Sequence, residues 1–169
     1  MSGANSTPPV LIRPLNPSDA HFILQLYNQQ SFIRYIADKK IYGISDAEQY
    51  IKSGPVACRN EHGFALDLVS IPSTKGNIPI GVCGLLKRPE LAYPDLGFAL
   101  LDEFAGQGLA FVACQSILSN AANELGLTHI QAVVMPSNLR SIKLLEQLDF
   151  TLMSTIELYG TSNHLYQRS

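Results

Sequence analysis

The sequence YPDLGFALLDEFAGQGLA, residues 93–110, joins an apolar strand pattern to a turn that contains two glycines. Residues 95–101 are apolar after the first position, with one glycine and no proline, and predict a strand buried on both faces. Small residues dominate positions 105–110, where the chain must turn sharply, and residues 110–125 predict a helix. We therefore expect a strand–turn–helix unit around which the rest of the chain is arranged.

This turn predicts an anion-binding site. A turn with little side-chain bulk at a helix N-terminus exposes several backbone N–H groups in one direction. Together with the helix dipole, these donors favour a phosphate or pyrophosphate. The sequence contains neither the dinucleotide pattern G-x-G-x-x-G nor the pattern G-x-x-x-x-G-K-[ST]. The structural alternative for Gly106 and Gly108 is a plain tight turn.

Composition indicates one globular domain with a substantial core. Of the 169 residues, 46% are hydrophobic and 15% are charged, which is typical of folded proteins rather than disordered ones. The net charge is −2, and Lys39-Lys40 and Lys87-Arg88 are the only basic doublets, so no basic field would attract nucleic acid. We expect a flexible segment at residues 1–9 and a single domain over residues 10–169.

Other features of the sequence predict where the protein resides. Cys58, Cys83 and Cys114 are widely separated, which argues against a disulfide framework and fits a reducing cytosol. No C-x-x-C or H-x-x-x-H spacing predicts a metal site. The first nine residues are unlike a signal peptide, and no apolar run approaches the roughly 20 residues that span a bilayer. We expect a cytoplasmic monomer or homodimer without a membrane or nucleic-acid partner.

The remaining elements follow from periodicity and turn residues. Strands are predicted at residues 10–15, 64–71, 78–86, 128–134, 150–158 and 164–167. Helices are predicted at residues 19–29, 32–36 and 138–148, and from Ser45, with a capping box to Glu48, up to Gly54-Pro55. Three strands in series followed by strand–helix–strand imply a mixed sheet.

Four motifs in the right order resemble the GNAT superfamily of acetyl-CoA-dependent N-acetyltransferases. The family's turn pattern [Q/R]-x-x-G-x-[G/A] falls on Ala105-x-x-Gly108-x-Ala110. Its N-x-x-S helix falls on Asn138-Leu139-Arg140-Ser141, and its closing Gly-Phe falls on Asp149-Phe150. Residues 80–85, IGVCGL, are similar to the I-G-x-x-G-L strand of the branch that acetylates protein N-termini, typified by the ribosomal-protein acetyltransferases. The resemblance covers residues 11–166.

The resemblance implies a single α/β (α+β) domain. Its central mixed, mostly antiparallel sheet would have about seven strands with a splayed parallel pair, flanked by helices. It also implies acetyl-CoA as co-substrate, without a metal. The implied CoA contacts are Phe98, Ala99 and Leu100 on the pantetheine arm, Gly106, Gln107, Gly108, Leu109 and Ala110 at the pyrophosphate, and Asn138 and Ser141 near the pantetheine.

The resemblance also implies catalytic roles. Asp95 falls on a position where family members carry a glutamate that acts as a general base, directly or through water. The alternative is an aspartate at a strand end. Ser141 would donate a hydrogen bond to the leaving thiolate, and its alternative is a helix serine bonded to its own i−4 carbonyl. Phe32, Tyr35 and Tyr42 are possible acceptor contacts, with ordinary core packing as the alternative for each.

The function implied is direct transfer of an acetyl group to a primary amine. A protein N-terminal α-amine is favoured because its reference pKa is about 8, against about 10.4 for a lysine, so it is more easily neutralised. A small-molecule amine is the enzymatic alternative. A non-catalytic CoA-binding domain stays open because Ala105, Leu145 and Asp149 depart from the family pattern, Leu145 standing where many members have a tyrosine.

Overall fold

The computed structural model describes residues 8–169, so most of the segment predicted to be flexible lies outside the described residues. Within this range seven strands form one sheet: β1 (Leu11–Pro14), β2 (Leu66–Ile71), β3 (Ile78–Leu86), β4 (Asp95–Leu100), β5 (Ile130–Val134), β6 (Thr151–Leu158) and β7 (Thr161–Arg168). The α-helices of the same range are α1 (Ala20–Tyr27), α2 (Gln30–Tyr35), α3 (Ile44–Ile51), α4 (Ala57–His62), α5 (Leu109–Asn123) and α6 (Leu139–Gln147). None of them is long and apolar enough to cross a membrane.

The strand order is β1-β2-β3-β4-β5-β7-β6, and every neighbouring pair is antiparallel except β4 and β5. This confirms the predicted mixed, mostly antiparallel sheet. The parallel strands pair only where Asp95 lies opposite Gln131, beside a hydrogen bond of 2.9 Å from Gln131 N to Pro94 O. The two strands then diverge, so the remainder of β4 has β3 on one side and an opening on the other.

The core lies on both faces of the sheet. On one face, Cys83 and Leu85 of β3 pack with Cys114 and Leu118 of α5. On the other face, Val82 of β3 packs with residues of α1 and α3. The alternation along β3 follows from the two-residue side-chain period of a strand. Because helices cover both faces, the central strands are almost wholly apolar, as the sequence predicted.

β4 departs from the prediction of a strand buried on both faces. Asp95 and Leu96 are buried, but Gly97, Phe98, Ala99 and Leu100 are only half-buried. These four residues border the opening where β5 has separated from β4. The apolar run therefore reflects a strand that borders a cleft over most of its length.

The side chains that cap two helices differ from the prediction. Asn16 caps the 3-10 turn Pro17–Asp19 in a reciprocal capping box with Asp19, and Asp19 stands at the N-cap position of α1 without a side-chain bond to that helix. α3 follows Gly43 without a side-chain cap, and the Asp46 carboxylate instead accepts from the N–H of Tyr42 at 3.0 Å. The Ser45 capping box is therefore not formed.

The helical segment that begins with α3 also continues past Gly54-Pro55. A π-helical turn at Lys52–Val56 carries the chain directly into α4. Proline has no N–H and clashes with the preceding turn of an α-helix, and a wider π turn accommodates it. At the C-terminal end of the chain, β7 begins three residues earlier than predicted because Tyr159 and Gly160, with φ of 54° and 80°, form a two-residue hairpin turn.

Candidate active site

Two cavities meet in the gap between β4 and β5. The outer cleft, of about 770 Å³, runs from the turn after β4 to the start of α6. The inner pocket, of about 130 Å³, extends from the same gap towards α1, α3 and the end of β3. Seven residues line both: Phe32, Tyr35, Ile36, Phe98, Ala99, Asn138 and Ser141. The cavities therefore form one continuous site with a junction at Phe98 and Ser141.

The turn at the outer end is shaped for an anion. Gly106 and Gly108 both have φ of 77°, a left-handed conformation that favours glycine. The first hydrogen bond of α5 runs from Val112 N to Gly108 O, so the three helical N–H groups before Val112 have no partner inside the helix. Leu109 and Ala110 carry two of these N–H groups and line the cleft with both glycines. This donor set fits the pyrophosphate of CoA.

Gln107 is the one predicted member of this turn that does not line the cleft. Its side-chain amide donates to the carbonyl of Glu103 at 3.2 Å and so closes the turn on itself. Its side chain therefore supports the turn, whereas its neighbours form the surface.

The open edge of β4 lines the cleft through Phe98, Ala99 and Leu100, and their contact with a pantetheine arm stays a prediction. Gln29 fixes the end of this edge. Its amide donates to Leu100 O at 3.3 Å, and its carbonyl accepts from the N–H of Asp102 at 2.8 Å. No sequence motif indicated Gln29, because Leu100 and Asp102 lie more than 70 positions away from it.

The start of α6 brings two predicted residues to the junction. The Asn138 side chain accepts from the N–H of Ser141 at 3.3 Å and caps the helix. The Ser141 hydroxyl has no hydrogen-bond partner within residues 8–169, so the predicted alternative of an i−4 bond is not observed there. Leu145, one turn later, is buried and lines the inner pocket without offering a hydroxyl.

The structure does not bring Asp95 to this junction. Asp95 as a whole residue is 0% exposed, and it lines neither cavity. Its Oδ2 forms an ion pair with Nε of Arg88 at 3.2 Å, but within the described residues neither carboxylate oxygen has a hydrogen-bond partner. Burial raises the pKa of Asp95 to about 6, against the opposing effect of Arg88. Direct proton transfer from an acceptor is therefore not supported, and a role through water stays a prediction.

The inner pocket is walled by aromatic side chains. The ring of Tyr27 stacks on Phe32 with centroids 4.2 Å apart, and its hydroxyl lies 2.8 Å from that of Tyr50. Burial raises the pKa of both phenols, so they stay protonated at neutral pH. Tyr35 lines both cavities, so its acceptor contact stays a prediction, whereas Tyr42 is 71% exposed and lines neither cavity. The expected acceptor contact at Tyr42 is therefore not placed at the site.

Two basic residues complete the pocket, Lys39 and Arg88. The sequence analysis did not assign them to the site, and neither did it assign Tyr27 or Tyr50. The one available signal was that Lys39 and Arg88 belong to the only basic doublets of the chain. Within the range that the structure describes, no group of three or more His, Cys, Asp or Glu side chains could hold a metal ion.

Comparisons with known proteins agree with this geometry. The model of the acetyltransferase (GNAT) domain matches residues 10–151. A search of curated proteins finds no match. Among solved structures, a GNAT-family acetyltransferase from Bordetella pertussis is similar, with 19% identity, a TM-score of 0.82 and coverage of 97% of this chain and 98% of the other.

Two further similar structures contain bound ligands. A ribosomal L7/L12 α-N-protein acetyltransferase in complex with coenzyme A has 16% identity and a TM-score of 0.81, over 96% of this chain and 94% of the other. The acetyltransferase AAC(6')-Ib in complex with paromomycin and acetyl-CoA has 15% identity and a TM-score of 0.74, over 95% and 93%. At these identities the structural likeness shows the fold alone.

Proposed function

The chain belongs to the GNAT acetyltransferase family and is an acyltransferase, and we propose that it transfers the acetyl group of acetyl-CoA directly to a protein N-terminal α-amine. The observation that carries this proposal is the continuous site. An anion-binding turn lies at its outer end, an open strand edge in the middle and a smaller pocket at its inner end. A thioester at the junction of Phe98 and Ser141 would meet an amine that enters from the inner pocket.

The outer cleft supplies contacts for each part of CoA. The N–H groups before Val112 hold the pyrophosphate. The free edge of β4 from Phe98 to Leu100 pairs with the amides of the pantetheine arm as an added strand would. A backbone N–H on this edge is also available to the thioester oxygen as negative charge develops on it.

The inner pocket favours the neutral form of the acceptor amine. Lys39 and Arg88 line it, and no acidic residue does. A nearby positive charge disfavours an ammonium ion and so lowers the pKa of a bound amine. An α-amine, with a reference pKa of about 8, loses its proton under this influence more readily than a lysine does. This supports an α-amine acceptor.

Ser141 is placed to assist the leaving group. In direct transfer, the amine nitrogen bonds to the carbonyl carbon of the thioester, the carbon–sulfur bond breaks, and the sulfur leaves as a thiolate. Ser141 faces both cavities, and its hydroxyl has no other partner among residues 8–169. It would donate a hydrogen bond to the sulfur as negative charge develops there. The proton of the amine goes to solvent, or to Asp95 through water if the predicted base role holds.

The departures from the family pattern do not disable this site. Ala105 lines the cleft, but the anion donors of the turn are backbone N–H groups, which need no particular side chain at that position. Asp149 stands where the family has glycine, and its φ of 65° shows that it adopts the left-handed conformation itself. Leu145 removes a possible tyrosine donor, and Ser141 one turn earlier offers a hydroxyl instead. These observations favour an enzyme over a non-catalytic CoA-binding domain.

The direct test is release of the CoA thiol from acetyl-CoA. The substrates are a panel of peptides with free N-termini and the same peptides with blocked N-termini and an internal lysine. Small amines, including aminoglycosides, form a separate arm because one similar structure contains paromomycin. We expect transfer to free α-amines and little transfer to the blocked peptides. Transfer only to small amines would mean that the acceptor is a small molecule and not a protein N-terminus. Absence of transfer despite acetyl-CoA binding would favour the non-catalytic CoA-binding domain.

The base hypothesis has its own test in Asp95→Asn. If Asp95 receives the proton through water, kcat/KM at about pH 7 should fall by roughly 10²–10⁴-fold, with a smaller loss at higher pH. A loss below roughly tenfold would instead assign Asp95 to holding Arg88 in position. Affinity for acetyl-CoA should be unchanged in either case, because Asp95 does not line the outer cleft.

A further inference from the structure

The charged residues that line the inner pocket are both basic. Arg88 and Lys39 line it, and none of its lining residues is acidic. The carboxylates nearest to Lys39 and Arg88 in the sequence do not line the pocket. Asp95 is closed off behind Arg88, Asp38 accepts from a backbone N–H in its own loop, and Glu90 is exposed outside the lining. An acceptor with a second cationic group would be repelled, whereas one with an anionic group would be attracted.

Arg88 lines the pocket while its guanidinium is paired with a buried carboxylate. Its Nε forms the ion pair with the buried Asp95, and its side chain is 24% exposed. The terminal amino groups donate to no residue within 8–169. A guanidinium is a planar set of five donors that binds a carboxylate in a two-pronged arrangement. The pair with Asp95 therefore fixes one edge of the guanidinium and leaves donors for a ligand.

Lys39 adds a second cation beside the first. The residue is exposed and forms no ion pair with the described part of the chain, yet it lines the same pocket. Partial desolvation of its ammonium group, and then the charge of Arg88, lower the pKa of Lys39. An anion bound between the two cations would offset their repulsion.

The size of the pocket limits the distance between the two ends of the ligand. Its volume is about 130 Å³, against about 770 Å³ for the outer cleft. The junction with Ser141 and Phe98, where acetyl transfer would occur, borders the same space as Arg88. An amine at the junction and an anion on Arg88 would therefore be separated by only a few heavy atoms.

We propose that the acceptor carries a carboxylate a few bonds from its primary amine, with the amine at the junction and the carboxylate on Arg88 and Lys39. This inference rests on the proposed function and names the acceptor more closely. Two sources share this chemistry: the acidic side chain of an N-terminal aspartate or glutamate of a peptide, and the α-carboxylate of a free amino acid.

The first experiment measures binding without catalysis, by titration calorimetry of the full chain saturated with CoA. One pair of ligands is Asp-Ala-amide and Asn-Ala-amide, and the other is alanine and alaninamide. We expect the carboxylate member of one pair to bind roughly tenfold to a hundredfold more tightly than its neutral partner. The pair that shows the preference identifies the source. Equal affinities in both pairs, or no binding of any of the four, would overturn the proposal.

The second experiment assigns the preference to the two cations. Lys39→Gln and Arg88→Gln should bring the ratio of affinities towards one, while Lys40→Gln and Lys87→Gln, which remove neighbouring charges outside the pocket, should keep it within about twofold. Because Arg88→Gln alone leaves a buried carboxylate unpaired, the double variant Arg88→Gln/Asp95→Asn is measured beside it. A preference that persists in both the Lys39 and Arg88 variants would overturn the proposal.

Thiol release separates this inference from the function on which it rests. Transfer to α-amines at equal rates with and without a nearby carboxylate would refute the carboxylate site and leave the transferase function intact. Selective binding of the carboxylate ligands without transfer to any amine would refute the proposed function and leave the carboxylate site intact.

Discussion

The two ends of the site are built in different ways. The outer end uses consecutive residues of one turn, and it presents mainly backbone N–H groups at the start of α5. The inner end uses side chains from four separate places in the chain: Tyr27, Lys39, Tyr50 and Arg88. A backbone site depends on conformation and tolerates many side chains, whereas a side-chain site depends on each residue. Changes at the outer end should therefore affect CoA binding, and changes at the inner end should affect which acceptor is used.

The largest effect is expected from Gly108→Glu. This change adds a side chain at a φ of 77° and a negative charge at the turn that is proposed to hold the pyrophosphate. We expect the affinity for acetyl-CoA, measured by calorimetry, to fall by more than roughly a hundredfold.

Gly126→Glu is the matched control for this change. Gly126 has φ of 64° near the other end of α5, so the control introduces the same side chain with similar backbone strain and leaves the turn unchanged. It should bind acetyl-CoA as the wild type does. Equal loss in both variants would mean that folding, not the anion site, accounts for the effect.

The next largest effect is expected from Ser141→Ala, which tests the junction between the two ends of the site. The proposed hydrogen bond strengthens only as the thiolate develops, so kcat should fall while KM for acetyl-CoA stays nearly constant. A hydrogen bond to a charged group supports an expected fall of roughly tenfold to a hundredfold. Steady-state kinetics with a verified acceptor measure it.

Ser116→Ala, on an exposed part of α5, is the control for the loss of a helix serine and should be silent. If Ser141→Ala were silent as well, Ser141 would have only a structural role. If it raised KM without lowering kcat, the hydroxyl would contribute to binding of the ground state instead.

The sequence was informative about the outer end for a physical reason. Strand, turn and helix follow one another at residues 95–123, and the left-handed turn restricts the residue type at Gly106 and Gly108. The mixed sheet was also predictable, and three of its six neighbouring pairs, β2–β3, β3–β4 and β6–β7, are joined by short connections. The apolar run of β4 did not reveal that its last four residues border a cleft, because half-buried and fully buried strands can have the same apolar composition.

The inner end could not be assembled from the sequence. Tyr27 and Arg88 lie 61 positions apart and meet only because α1 and the end of β3 pack on the same face of the sheet. No local pattern distinguishes Tyr50, a helix residue, from a core aromatic. Asp95 illustrates the converse: the motif marked it as catalytic, but the ion pair with Arg88 and the complete burial of Asp95 depend on tertiary packing.

A smaller effect is expected from the pH dependence of stability at Asp95. Burial, against the opposing charge of Arg88, raises its pKa from 3.8 in the unfolded chain to about 6 in the folded protein. The folded state therefore binds the proton more tightly, so this group contributes stability at low pH that is lost as pH rises through about 6. The full difference of about two pH units corresponds to about 3 kcal/mol, and about half of it falls between pH 8 and pH 5.

Asp95→Asn removes this contribution, so the measurement is the difference in free energy of unfolding between variant and wild type. Urea titrations at about pH 8 and about pH 5 should show the variant gaining relative to the wild type at the higher pH. Asp38→Asn, at an exposed carboxylate, is the control for the change in net charge alone. A pH-independent difference for Asp95→Asn would mean that the carboxylate is ionised as readily in the folded state as in the unfolded chain.

The smallest effect is expected at Asp149, and it tests whether a departure from the family pattern concerns conformation alone. The end of α6 forms a Schellman motif, in which Phe150 N donates to Leu145 O at 3.0 Å and Asp149 N donates to Glu146 O at 3.1 Å. This motif requires a left-handed residue at Asp149, whose φ is 65°. A residue with a side chain costs about 1–2 kcal/mol in that conformation, although Asp tolerates it better than most residues.

Asp149→Gly should therefore raise the free energy of unfolding by about 1 kcal/mol, whereas Asp149→Ala, which keeps a Cβ, should not raise it. Urea unfolding measures both. Because Asp149 lies outside the outer cleft and the inner pocket, neither variant should change kcat or the KM for acetyl-CoA. A change in turnover with Asp149→Gly would show that the start of α6, with Ser141, is positioned by its far end. The junction would then depend on the backbone of α6 as the outer end depends on its turn.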